Sequence, residues 1–275
     1  MNDTAAARRI YTEEIRNREK ILSSRLLHAI STVPRERFLG KGPWRIRSST
    51  VHKYRSTESA DPIHLYQDVL VAMDEAQELD AGLPSLWLHL FDILKIKKKE
   101  RVAQIGCGLG YFSAILSEVV GVDGTVFAIE CDKKLVDRAR SNLREYSNVE
   151  VVQGDGCSNI GGQADVIIVH AGFTHPHPLW IESLRPAGRL LVPLTKPSRQ
   201  GTMVKIVRQG DQYRAEAIKR LEIFPCRGRG NTALDERLTD WWEIASTLFP
   251  LRFRSIDHGL PSNNVPRRNK MQGKR

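Results

Sequence analysis

The stretch Arg101–Gly110, RVAQIGCGLG, is a short apolar run ending in three glycines at alternate positions, and YFSAIL follows it with helical character. A strand, a tight turn and a helix are the elements this pattern specifies. Glycines suit such a turn because they accept left-handed backbone angles and let a ligand approach the main-chain N–H groups. A second apolar run, TVFAIE at Thr125–Glu130, ends in an acid. In a doubly wound sheet, an acid at the carboxyl end of the second strand is placed to accept hydrogen bonds from ribose hydroxyls. Gly106, Cys107, Gly108, Gly110 and Glu130 therefore form one side of a candidate nucleoside site.

Spacing selects the kind of nucleoside. The dinucleotide fingerprint is G-x-G-x-x-G, whereas here the third glycine comes one residue early and Tyr111 follows it. A nicotinamide-dependent dehydrogenase is disfavoured on that ground. NVEVVQ, Asn148–Gln153, reads as a third strand and runs into Gly154-Asp155-Gly156. ADVIIV, Ala164–Val169, is apolar at nearly every position, as a parallel strand covered on both faces should be. Asp155, just past the third strand, is placed to bond an adenine amino group, with Gly156 beside it. Three such loops suit adenosine without a pyrophosphate, which points to S-adenosylmethionine.

VAQIGCGLGYFSAIL, VFAIE, VVQGDG, ADVIIVHA and GRLLVPL, in this order, resemble the protein-L-isoaspartate O-methyltransferase family. The resemblance covers roughly Val33 to Cys226, is strongest over Arg101–Leu194, and includes VPRERF at Val33–Phe38. It implies an α/β fold of the Rossmann-like class I methyltransferase type. That fold has a seven-stranded, mainly parallel sheet with helices on both faces, here with an N-terminal helical extension. It also implies S-adenosylmethionine as cofactor and, as acceptor, the α-carboxyl of isoaspartyl residues in damaged polypeptides. Where the family has a glycine-glutamine-threonine-isoleucine-serine substrate loop before a helix, this chain reads Gly82-Leu83-Pro84-Ser85-Leu86. Gly82 matches, the Gln and Thr are absent, and Ser85 matches with a one-residue shift. That departure admits a rival acceptor, a carboxyl or hydroxyl group of another peptide or of a small metabolite.

The sequence divides into an N-terminal helical and substrate-loop extension (1–95), an S-adenosylmethionine-binding methyltransferase core (96–226), a C-terminal helix (227–254) and a tail (255–275) expected to be basic and disordered. Ala5–Ile30 has helical spacing, with Ile10, Ile15, Leu22, Leu26 and Ile30 near one face, and Pro34 ends or redirects it. Leu39–His64, rich in Gly, Pro, Ser and Arg, reads as a long loop or lid. Pro84 opens a helix to about Leu94, with an apolar stripe of Leu83, Trp87, Leu90 and Leu94. Thr202–Val207 and Arg214–Phe224 read as a closing antiparallel pair. Ala233–Leu248 is a further candidate helix, and from Ser255 the chain lacks apolar periodicity.

The 275 residues carry a formal net charge of +10, unevenly spread. Residues 1–56 hold 13 Lys and Arg against 5 Asp and Glu, residues 251–275 hold 7 against 1, and the middle is mildly acidic. Solvated helix faces and a polar tail account for this, and no aromatic residues interleave with the basic ones of Pro266–Arg275, so nucleic acid is not the expected partner. The rival of another class is a catalytically idle cofactor-binding module whose basic ends contact RNA or protein. Cys107, Cys131, Cys157 and Cys226 are widely spaced, without a C-x-x-C, and suggest neither a zinc site nor a disulfide framework. No apolar run reaches membrane-spanning length and the start of the chain lacks a signal-peptide core, so a cytoplasmic protein is expected. The sequence leaves the oligomeric state open.

The sulfonium of the cofactor makes its methyl group electrophilic, so the protein must align a nucleophile behind the methyl–sulfur bond. A carboxylate is ionised at neutral pH and needs no strong base. The Asn/Asp-Pro-Pro-Tyr/Phe motif that grips planar nitrogen acceptors is absent after the fourth strand, where the chain reads His170-Ala171-Gly172-Phe173-Thr174-His175-Pro176. His170 directly follows that strand and is expected to face the cleft: a proton acceptor toward a hydroxyl, or a hydrogen-bonding wall toward a carboxylate. Ser85 is either a substrate contact or a helix-capping residue beside Pro84. His175 and His177 read as loop histidines.

Overall fold

The computed structural model describes residues 3–51, 53–195, 200–223 and 226. The candidate helix at 233–248, the C-terminal segment 227–254 and the tail from Ser255 lie outside these residues.

Three helices open the chain: α1 (Thr4–Glu19), α2 (Ser24–Thr32) and α3 (Glu36–Leu39). The single helical run expected over Ala5–Ile30 is therefore two helices. Lys20 ends α1 in the left-handed conformation, and the Ser23 side chain caps α2 by accepting from the Leu26 N–H. Asp92 from a later helix fixes the break, accepting the N–H groups of Leu22 and Ser23 at 3.3 and 2.8 Å. The break ends the helical register, so Ile15, Leu26 and Ile30 are buried while Ile10 and Leu22 are 62% and 87% exposed.

The expected loop over Leu39–His64 is also corrected. Strands β1 (Arg45–Arg47), β2 (Arg55–Ser56), β3 (Leu70–Asp74) and β4 (Leu79–Asp80) form a small antiparallel sheet in the order β2-β1-β3-β4. Its strands are too short to show a clear alternation in the sequence. Trp44, Ile46 and Val71 pack from it onto Leu109 of the glycine turn and onto Leu135. Across it Arg47 and Asp80 form a buried ion pair, and the Tyr54 hydroxyl donates to Asp80 at 2.7 Å.

Helix α4 (Pro84–Leu94) then leads into the main sheet. The elements that follow are β5 (Arg101–Ile105), α5 (Tyr111–Val120), β6 (Thr125–Glu130), α6 (Lys133–Asn142), β7 (Val149–Gln153), β8 (Ala164–Val169), α7 (Pro178–Glu182), β9 (Leu184–Thr195), β10 (Gln200–Gln209) and β11 (Gln212–Glu222). The sheet order is β11-β10-β9-β8-β5-β6-β7. Strands β5 to β9 run parallel, and β10 and β11 close the edge antiparallel. This is the seven-stranded, mainly parallel sheet the sequence implies.

Alternation along the strands divides the core into two layers. Val102, Val126, Ala128, Val166 and Ile168 face the layer built with α1, α2, α4 and α5. Ala103, Ile105, Phe127, Ile129 and Ile167 face the other, closed by the short α7 through Trp180 and by the loop carrying Cys157 and Ile160. The strand order reverses beside β5, and in open parallel sheets the ligand cleft lies at the carboxyl ends of the strands at such a point.

Candidate cofactor and acceptor site

The glycine turn is held to β6 by its own main chain. The N–H groups of Gly106 and Cys107 both donate to Ile129 O, at 2.9 and 3.0 Å, and Gly108 N–H donates to Glu130 Oε2 at 2.9 Å. Gly106, Gly108 and Gly110 have φ of +78°, +56° and +89°, a region that costs side-chain-bearing residues energy. Gly110 has a packing reason as well, since a Cβ there would lie 2.6 Å from Leu143 Cδ1. A Cβ on Gly108 would come within 3.4 Å of Met73, so β3 of the small sheet overhangs the turn.

Glu130 is buried at 8% exposure and is the hub of the turn. Its Oε1 accepts from the N–H groups of Cys131 and Asp132, while Oε2 accepts from Gly108 N–H. A carboxylate oxygen has about two lone-pair positions, so Oε2 retains room for a ribose hydroxyl. Asp155 is exposed, and its Oδ1 closes the loop after β7 by accepting Cys157 N–H at 2.8 Å. Gly156 packs against Ile105, where a Cβ would come within 2.5 Å, and its carbonyl accepts from Trp180 Nε1. Cys107 is buried, and burial together with the Glu130 charge pushes its thiol well above the usual range. That makes it a poor nucleophile and suits a packing role.

His170 packs against α4 and α5 beside the glycine turn. The His170 ring lies 3.8 Å from the Trp87 ring at 30° and 5.7 Å from Phe112 at 22°, with Phe91 edge-on at 6.4 Å. Its Cβ is 3.6 Å from the place a Gly106 Cβ would occupy, so it adjoins the glycine turn. Burial among these rings pushes its pKa down to about 3, leaving it neutral at physiological pH. His170 Nε2 is 3.1 Å from Gln104 Nε2, and Gln104 Oε1 accepts from Ser113 Oγ at 2.7 Å. Sequence reasoning missed Gln104 and placed Trp87 only in the core. The available signal for Gln104 was one polar side chain inside the otherwise apolar VAQI run.

Ser85 is drawn away from a purely substrate-facing role. Its N–H and hydroxyl both bind Asp68, at 3.0 and 2.6 Å, and Arg18 pairs with the same carboxylate at 3.0 Å. Asp68 thus serves the start of α4, where no residue of the helix's own N-cap does. His177 Nδ1 accepts from Leu179 N–H and caps α7, in keeping with a loop histidine. The sequence-derived residues fall into three groups: Gly106, Cys107, Gly108, Gly110, Glu130 and His170 meet around the glycine turn, Asp155 and Gly156 lie in the loop after β7, with Gly156 against Ile105, and Ser85 is held by Asp68 at the start of α4.

A family model described as protein-L-isoaspartate(D-aspartate) O-methyltransferase matches residues 8–225. The chain belongs to this family. It is thereby an S-adenosylmethionine-dependent methyltransferase. Among its relatives is a protein-L-isoaspartate O-methyltransferase of Methanothrix thermoacetophila, 30% identical over 79% of this chain and 93% of the relative. Another, from Rhodopseudomonas palustris and carrying that name with the number 2, is 31% identical over 73% of this chain and 83% of its own length. A solved protein-L-isoaspartate O-methyltransferase superposes with a TM-score of 0.68 at 24% identity, covering 80% of this chain and 66% of that one. A second, described as a putative enzyme of this family from Plasmodium falciparum in complex with S-adenosyl-L-homocysteine, gives a TM-score of 0.64 at 15% identity, covering 81% and 99%. These two superpositions bear on the fold. No helix among the described residues is long and apolar enough to cross a membrane.

Proposed function

We propose that this methyltransferase esterifies the α-carboxyl of isoaspartyl residues in damaged polypeptides and acts in the cytoplasm. The observation that carries the acceptor class is His170 beside the glycine turn, a poor base because its Nε2 is taken by the Gln104 amide and burial pushes its pKa down to about 3. A hydroxyl or amine acceptor needs a base in that wall, whereas a carboxylate arrives ionised. When bound, the cofactor supplies an electrophilic methyl group on a sulfonium. The chain's own part is to bind, to orient and to exclude water. Glu130 Oε2 would take the ribose hydroxyls, Asp155 the adenine amino group, and the turn Gly106–Gly110 would lie along the nucleoside. Cys107, Gly110 and Gly156 shape that wall by packing.

A second reading is a diverged carboxyl methyltransferase acting on another peptide or a small carboxylate. It is favoured by one observation: the Ser85 hydroxyl is committed to Asp68. Transfer from labelled cofactor to an isoaspartyl peptide and to its aspartyl twin separates the two. Base-labile label on the isoaspartyl peptide alone is the expected result. Base-labile label on a different acceptor supports the second reading, and base-stable label refutes both.

A further inference from the structure

Gln104 occupies the middle of β5 with no solvent exposure, an expensive place for an amide unless its hydrogen bonds are made. Ser113, also without exposure, donates its hydroxyl to Gln104 Oε1, the one acceptor in reach of Ser113 Oγ among the described residues. That bond fixes which end of the amide is which. With the oxygen taken by Ser113, the amide nitrogen must donate to His170 Nε2, and the imidazole then carries its proton on Nδ1. Reversing the amide would strand the buried Ser113 hydroxyl hydrogen. His170 Nδ1 has no protein partner among the described residues and is not among the fully buried unpaired atoms. The His170 Cβ adjoins the glycine turn, 3.6 Å from the place a Gly106 Cβ would occupy. The groups facing the ring are Gln104 from β5, Trp87 and Phe91 from α4 and Phe112 from α5, and none of them is charged.

We infer that Gln104, itself held by Ser113, is a positioning residue that presents His170 to the methyl acceptor in one tautomer, with Nδ1–H donating to the acceptor's carboxylate. This rests on the carboxyl reading above and adds a specificity element to it. A neutral, fixed donor recognises a carboxylate without itself being methylated or titrated. The Trp87 stack keeps the ring plane in place, and Gly82 permits that stack, since a Cβ there would come within 3.1 Å of Trp87 and Phe112.

The test joins a spectroscopic readout to a pH profile, both on the full chain. Long-range proton–nitrogen NMR, with His170 assigned by its loss in H170F, should show Nδ1–H at neutral pH. Its shift should move when the isoaspartyl peptide is added with S-adenosylhomocysteine. An Nε2–H tautomer, or no response to a peptide that binds, overturns the inference. Gln104→Glu places an anion opposite Nε2. At low pH the ring becomes an imidazolium with both N–H groups and the peptide KM stays near wild type. As pH rises through the new ionisation, the proton stays between Glu and Nε2, Nδ1 loses its hydrogen, and KM should rise about tenfold. Wild type should show no such step. A KM change in Gln104→Glu that is the same at every pH means a structural role only and refutes the proposal. If Gln104→Glu does not fold, the wild-type tautomer decides alone. Failure of the wild type to methylate the isoaspartyl peptide refutes the substrate reading instead, and the tautomer is read without turnover.

Discussion

Replacing His170 by Phe removes one titration from the folding equilibrium while leaving an aromatic ring for Trp87 and Phe112 to stack on. In the unfolded chain the imidazole titrates near its ordinary value of 6.5, and in the fold burial pushes it down to about 3. A folded pKa below the unfolded one means the unfolded state binds the proton first as pH falls. The stability contributed by keeping His170 neutral is therefore whole above 6.5 and is lost progressively below it. Between about pH 7 and pH 5 the folded state takes up almost no proton at this site, so the loss follows from the unfolded value and amounts to about 2 kcal/mol. Urea unfolding of wild type and H170F at both pH values isolates the effect, because the other titrating groups are common to both proteins. H170F also leaves the Gln104 amide without its partner, but that cost is the same at both pH values and cancels in the double difference. The wild type should lose about 2 kcal/mol more than H170F on acidification. Equal losses would show that the ring is protonated within the fold at pH 5, and the enclosed, neutral His170 would be wrong.

Glu130→Ala should weaken S-adenosylmethionine binding by about 1–3 kcal/mol in calorimetric titration, since it removes the acceptor that holds Gly108 as well as the proposed ribose contact. Asp155→Ala should weaken binding toward the lower end of that range, because part of its carboxylate already serves the loop at Cys157. Ser85→Ala should lower stability by about 1–2 kcal/mol in denaturant unfolding, the size of one hydrogen bond to a charged group, with kcat little changed; a collapse of kcat at unchanged stability would restore Ser85 as a substrate contact. Arg35→Leu should cost about 3 kcal/mol or more, measured the same way, because the buried guanidinium donates to Leu65 O at 2.8 Å and Val69 O at 2.9 Å and its loss strands both carbonyls.

The cofactor half was legible because its signals are local. An apolar run followed by glycines at alternate positions requires a strand and a turn whatever surrounds them, and an acid six residues into TVFAIE falls at the strand end by counting alone. The edge hairpin β10–β11 was legible for the same reason. The N-terminal half was not, because its structure is decided by partners far away in the chain. Nothing between Lys20 and Ser23 announces a helix break as firmly as Asp92 does, some seventy residues on. Likewise the strands of the small sheet are two to five residues long, and they exist because Leu109 and Leu135 of the core give them an apolar floor.

The same division explains why the acceptor site is harder to read than the cofactor site. Ser85 sits where a sequence comparison expects a substrate-binding serine, yet its environment is set by Asp68, by Arg18 from α1 and, at one remove, by Arg35, whose guanidinium fixes the carbonyls on either side of that loop. Each of these contacts spans more than a dozen residues, so no local pattern reports them. On the same helix as Ser85, Trp87, read from periodicity as core, stacks on His170, read from position as wall. Trp87 is core, as read, and in the inference above this core aromatic clamps His170 while a buried amide on β5 determines which of its nitrogens is left to donate. A site assembled this way can change its acceptor through α4 and its loop while the glycine turn and Glu130 stay as they are. Divergence at Gly82–Leu86 is therefore compatible with an unaltered cofactor site, and substitutions in that loop should move KM for the acceptor before they move affinity for the cofactor.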